Sequence, residues 1–224
     1  MKNKSILFIF SSLAVYIGLS YFGGEVGRKI MYPLKLFVTF LHEFGHAFGA
    51  LITGGEVVGF VVNEDGSGVT TTRGGNRAII IMGGYIGSAI FGNLLFYIGA
   101  RREKFTQATL YIVGVLMLVI SFVWFSSWFT TGFLIVFSLA LFILARLTNL
   151  DQIITMFLGL ASILYIIQDF NVGPSSDLAA YADLFVFIPS SVWMYVWLII
   201  VLILFVLNIR MIFKGAMKSD EISV

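Results

Sequence analysis

Apolar residues in this chain gather into runs long enough to cross a lipid bilayer, and that spacing restricts the fold more than any other feature. A helix spanning about 30 Å of hydrocarbon needs roughly 20 predominantly apolar residues. Seven stretches approach that length, at about 6–22, 33–52, 78–99, 107–128, 131–147, 152–168 and 190–213. The fifth and sixth are barely long enough, and only a short turn near Ser126 to Thr131 separates the fourth from the fifth, so the expected count is six or seven. Hydrophobic residues make up 59% of the 224 and charged residues 12%, too little polar surface to coat a water-soluble globule of this size. The expectation is an all-α polytopic membrane protein, a single integral-membrane domain over residues 1–224.

Charge and cysteine content exclude other classes. The net charge of +2 comes from Lys and Arg scattered between apolar runs, with no dense basic block of the kind that binds nucleic acid. Cysteine is absent, so there is neither a disulfide framework nor a thiolate metal site, and any metal must be held by His, Asp or Glu. Lys2 and Lys4 ahead of the run from Ile6 to Ser20 read as a first signal-anchor helix rather than a cleaved leader.

The prolines punctuate the spans. Pro33 and Pro189 suit first-turn helix positions, and Pro174 lies in the polar gap before the last span. Trp124, Trp128, Trp193 and Trp197 fall near expected span ends, where amphipathic rings prefer the interface. Two stretches break the helical pattern. Glu56 to Thr72 reads as a β-hairpin, with β-branched runs at Val57 to Val62 and Val69 to Thr72 around the turn-forming Asn63 to Gly68. The segment at about 169–188 contains Asp169, Asn171, Gly173, Asp177 and Asp183, and its first half is too polar for a lipid-facing span.

Chemistry concentrates in His42-Glu43-Phe44-Gly45-His46, on the span at about 33–52. Two histidines four residues apart project from one helix face and can bind a single zinc ion, while the intervening glutamate is placed to take a proton from water. These are the chain's two histidines. They fall near the middle of the span, where a charged side chain costs about 2.5–3.5 kcal/mol on insertion scales. A carboxylate beside two imidazoles at that depth needs a compensating partner, and a divalent metal is one.

Zinc needs a third protein ligand if its fourth position is to hold water. With His exhausted and Cys absent, that ligand must be a carboxylate. Counting spans puts the 169–188 segment on the membrane face reached after the zinc helix, the same face as the hairpin. Asp177 follows Ser175-Ser176 and can begin a short helix to Leu184 that dips back into the membrane. Asp183 is six residues on, about 240° around a helix, so the two would not readily share one ion. Asp177 is favoured and Asp183 stays the alternative; otherwise Asp177 is a helix N-cap, and Asp183 and Asp169 are solvated ends.

These residues resemble the site-2 protease family of intramembrane zinc metalloproteases, in particular its short branch without a PDZ domain. The resemblance runs from about Leu41 to Trp197, through Leu41 to His46, Thr53-Gly54-Gly55, the hairpin, Gly84-Tyr85-Ile86-Gly87-Ser88 with Phe91-Gly92-Asn93, and Ser176-Asp177 ahead of Ile188-Pro189 and Trp193. It implies that His42, His46 and Asp177 hold one Zn2+ per chain and that Glu43 is the general base. The pattern departs at Leu178, where the family's better-known form has glycine after the aspartate.

Gly84, Ser88 and Gly92 give the third span a small-residue face, and Gly45 and Gly49 give the zinc helix another, so these two helices are expected to touch. Asn93 would then lie near the site, as a substrate or intermediate contact or bonded to its own helix backbone. The expected reaction is hydrolysis of a peptide bond in or near a transmembrane segment of a membrane-protein substrate. Such a segment is helical in lipid and must unwind first, and an edge strand of the hairpin offers β-addition to the unwound chain. The alternative is a metal-binding membrane protein that does not cleave, a transporter or scaffold; a zinc hydrolase of a lipid or small amide is a further rival. Orientation stays open: the excess of Lys and Arg makes the face opposite the hairpin cytoplasmic, whereas the family resemblance puts the site face there.

Overall fold

The computed structural model describes residues 2–147, 150–170, 176–185 and 187–221. Nine α-helices are described: α1 Lys2–Ile17, α2 Gly24–Ile52, α3 Arg77–Met82, α4 Ser88–Arg101, α5 Glu103–Val123, α6 Trp128–Leu147, α7 Asp151–Asp169, α8 Ser176–Ala182 and α9 Ser190–Glu221. A π-helical turn at Gly18–Phe22 prolongs α1, and a second at Gly83–Gly87 joins α3 to α4. Five segments are long and apolar enough to cross a membrane: Arg77–Arg101, Glu103–Val123, Trp128–Arg146, Asp151–Asp169 and Ser190–Lys214. With the shorter apolar helix Leu7–Phe22 and the motif-bearing α2, the chain is an integral, multi-pass membrane protein.

The zinc-motif helix is longer than its apolar run. The expected start at Pro33 is corrected to Gly24, so Pro33 lies inside α2 and not in its first turn. Gly24 has φ +54, a conformation that L side chains rarely adopt, and this is where the chain reverses out of the π-helical turn. Glu25 and Lys29 pair at 2.8 Å across the first turns, a polar start that the hydropathy of the run did not reveal. Pro189 accepts hydrogen bonds from the amides of Val192 and Trp193, so it sits at the cap of α9 just ahead of its first turn. Pro174 and the rest of 171–175 lie outside the described residues.

Lipid tails are as apolar as leucine, so helices in a bilayer associate through close packing and polar contacts. The α2–α4 expectation holds in outline but with a shifted register. Gly45 meets the carbonyl of Gly83, and its Cα lies 3.2 Å from where a Cβ on Gly87 would stand. Gly49 packs on Ile79 and Ile80 of α3. Gly92, expected to face α2, instead packs against Gly159, Ser162 and Ile163 of α7.

Between α2 and α3 stands the hairpin, β1 Glu56–Val62 antiparallel to β2 Gly68–Arg73. The turn closes through Asn63 N–H to the Ser67 carbonyl at 2.8 Å, with Gly66 at φ +84. Phe60 is fully buried against Phe40 of α2. Three side chains on one stripe of α2 hold the turn. Tyr32 donates to the carbonyl of Glu64 (2.7 Å), Lys35 to that of Asp65 (2.5 Å) and Thr39 to that of Gly66 (2.7 Å).

The α5–α6 connection covers the outer edge of β1. Thr130 Oγ1 bonds both the amide and the carbonyl of Val62, Ser126 donates to the carbonyl of Phe60, and Trp124 Nε1 donates to that of Val57. Of the four tryptophans read as interfacial, Trp128 is 84% exposed whereas Trp197 is buried against Tyr85 and Tyr181. The correction for Trp197 follows from α8, which packs on α9 and covers it.

Candidate active site

His42, Glu43 and His46 occupy the C-terminal half of α2, and each ring or carboxylate is held by a different neighbour. His46 Nδ1 lies 2.7 Å from the carbonyl of Ile80. A carbonyl can only accept, so Nδ1 carries a proton, and in the neutral ring Nε2 is then the nitrogen that offers its lone pair to a metal. That arrangement is the usual way a second contact fixes the tautomer of a metal-binding imidazole. The His42 ring meets Tyr85 edge-on with centroids 4.9 Å apart.

Asp177 comes to the histidines from the first turn of α8. Its Oδ2 is 2.9 Å from His42 Nε2 and 3.2 Å from His46 Nε2, and the two Nε2 atoms are 3.1 Å apart. Three donors at ordinary zinc distances around a tetrahedral centre would stand about 3.3 Å from one another. The triangle is therefore the size that such an ion requires. Gly84 supplies an independent test of fit. A Cβ there would lie 2.5 Å from His46 Nε2 and 2.6 Å from His42 Nε2, so the absence of a side chain keeps open the space both nitrogens face. The donor chemistry and the open space both suit zinc.

Asp183 is not brought to this cluster. It is exposed and lines a separate recess with Phe187, Ile188 and Pro189, as the 240° separation on a helix anticipates. The short helix expected from Asp177 to Leu184 runs over Ser176–Ala182. Asp169, read as a solvated end, accepts from the Tyr85 hydroxyl at 2.5 Å. Asn93 stands further along α4. It donates to the carbonyl of Ala89 at 2.9 Å, and its Oδ1 accepts from Asn208 of α9 at 2.9 Å. It does not line the cavity beside the histidines, so of its two readings the backbone bond is the one the geometry displays.

That cavity has a volume of about 370 Å3 and lies between α2, the hairpin turn, Tyr85 and α7. Glu43 lines it while only 4% exposed, and Thr70 of β2 donates to its Oε2 at 2.8 Å and to its backbone carbonyl at 3.0 Å. Thr70 and Gly68 are site neighbours that no motif in the sequence marks, and Tyr85, present there only within the family pattern, lies against His42. The spacing of Gly84 marks it as a packing residue, but nothing in that spacing announces that it faces the imidazoles.

A helical membrane protein with a buried His-Glu-x-x-His turn and an aspartate closing a three-donor cluster has the architecture of an intramembrane metallopeptidase. The family model described as Peptidase M50B-like matches residues 9–208, and the chain belongs to this family, the site-2 protease family. No curated protein and no solved structure matches the chain.

Proposed function

We propose that the chain is an intramembrane zinc metalloprotease that hydrolyses a peptide bond in or near a transmembrane segment of a membrane-protein substrate. The observation that carries this reading is the meeting of Asp177 with His42 and His46, at the wall of a cavity that His42, Glu43 and Asp177 line together. His42 Nε2, His46 Nε2 and Asp177 Oδ2 would hold one Zn2+ per chain. Zinc in such a set supplies Lewis acidity, lowering the pKa of water to about 7 and polarising a carbonyl. Glu43 takes the proton of the attacking water and returns it to the leaving amine.

The hairpin supports a proteinaceous, unwound substrate. Because Asn63 and Ser67 form a hydrogen-bonded pair, alternation makes Val62–Gly68 and Phe60–Thr70 the pairs whose backbone groups point outward. On β1, Thr130 takes both groups of Val62 and Ser126 takes the carbonyl of Phe60. On β2, no described residue caps the outward groups of Gly68 and Thr70, and Gly68 at the start of that edge lines the cavity. An unwound substrate segment adding to β2 would find its backbone satisfied where lipid offers nothing, and would lie next to Glu43.

The test is metal-dependent cleavage by the purified protein of a membrane substrate, reconstituted in vesicles. Stripping with a chelator should abolish cleavage and one equivalent of zinc should restore it, while His46→Ala should bind no zinc and stay inactive. Undiminished cleavage after complete zinc removal would contradict the proposal, as would full activity of His46→Ala.

A further inference from the structure

The hairpin touches the proposed general base itself, not only the route to it. Thr70 has a single hydroxyl proton, placed between the Glu43 carbonyl at 3.0 Å and Glu43 Oε2 at 2.8 Å. Two residues earlier on the same edge, Gly68 lies against the other side of the carboxyl group. A Cβ on Gly68 would stand 2.5 Å from Glu43 Oε1 and 2.8 Å from its carboxyl carbon. The nearest atoms, Cγ at 2.6 Å among them, all belong to the Glu43 side chain and none to backbone, so an added methyl forces the carboxylate out of its position.

From this geometry we infer that β2 positions the general base: Thr70 fixes Glu43 Oε2 by hydrogen bonding, Gly68 leaves room for Oε1, and together they set the carboxylate for proton transfer. The inference rests on the reading of Glu43 as the base. Oε2 is taken by the Thr70 hydroxyl, and no described side chain donates to Oε1, which is left to receive the proton from water. Holding a carboxylate to one rotamer matters here because proton transfer requires heavy atoms within about 2.6–3.2 Å. The strand whose outer edge is offered to the substrate is thus the strand that orients the catalytic carboxylate. Thr70 is a positioning residue, since it acts through Glu43 and touches neither the metal ligands nor the proposed scissile bond.

The alternative role for Thr70 is structural, tying β2 to α2, and the two roles separate in the kinetics. Thr70→Val keeps the shape and β-propensity of the residue but loses the hydroxyl. It should lower kcat by about tenfold to a hundredfold, the usual worth of a hydrogen bond to a charged group, with KM and zinc content unchanged. Thr70→Ser should restore most of the rate. Gly68→Ala should lower kcat in the same way by displacing the carboxylate, and it supplies a second reading should the valine variant misfold. Thr71→Val, on the opposite, exposed side of β2, serves as control with the wild-type rate.

Glu43→Gln is run in parallel. If it cleaves like wild type, the reading of Glu43 fails and this inference fails with it. If it is inactive while zinc-loaded Thr70→Val and Gly68→Ala keep kcat within twofold of wild type, the inference about β2 alone is overturned. A rise in KM with kcat unchanged in both variants would also overturn it, because it would assign β2 to substrate binding only.

Discussion

At the scale of single residues the site divides into parts a sequence displays and parts it conceals. His42, Glu43 and His46 are legible because their geometry is local: four residues on a helix return to one face whatever the rest of the chain does. Asp177 lies 135 positions beyond His42, and only the alternation of spans brings it to the same membrane face. Gly84 was concealed because its contribution is the atoms it lacks. Gly84→Ala should fold and insert normally yet lose most of its zinc affinity, since the methyl would occupy the space faced by both Nε2 atoms. Metal titration of the purified variant checks this. Asp177→Asn should likewise lose zinc, whereas Asp183→Asn, exposed in its separate recess, should titrate like wild type.

At the scale of elements, the hairpin was legible from its β-branched runs and glycine turn, and its bounds differ from expectation by a single residue at Arg73. What periodicity did not show was its docking, because Tyr32, Lys35, Thr39, Ser126 and Thr130 look like ordinary polar residues near span ends. Thr130 is 1% exposed and satisfies both backbone groups of Val62. Thr130→Val should therefore destabilise the docked hairpin by about 1–3 kcal/mol, the cost of leaving buried backbone groups unpaired, read as faster amide exchange in β1. The turn also has a pH dependence. Asp65 is held below the usual carboxylate range, first by the amide of Ser67 and then by its hydroxyl. A depressed folded-state pKa contributes stability that is present above about pH 4 and fades as pH falls through the folded value. Amide exchange at Ser67 should accelerate in acid, and Asp65→Asn should remove that dependence.

For the whole molecule, the polytopic helical class was legible because apolar runs of about 20 residues match the bilayer as helices, whereas barrel strands need only about ten. The α2–α4 contact was anticipated from small residues, but its register was not, since Gly83, Gly84, Gly87 and Gly92 are equally small and only the neighbours decide which faces what. Gly92 of α4 faces α7, where it meets Gly159. The last helix is fastened in the bilayer by Asn208, which is 2% exposed and donates to the carbonyl and to Oδ1 of Asn93. Asn208→Leu should cost about 0.6–1.7 kcal/mol, the range of polar contacts between membrane helices, measured by unfolding in detergent. Packing α7 on α2, and α8 on α3 and α9, is what delivers a carboxylate from late in the chain to two imidazoles early in it.

The central claim is that this assembly is a protease whose base is Glu43. Its most direct test compares purified wild type with Glu43→Gln, both loaded with zinc, for cleavage of a membrane protein in vesicles. The glutamine variant should bind one zinc per chain as tightly as wild type and cleave at least about a hundredfold more slowly, the lower range of a general base's contribution. Equal cleavage rates for the two zinc-loaded proteins would contradict it.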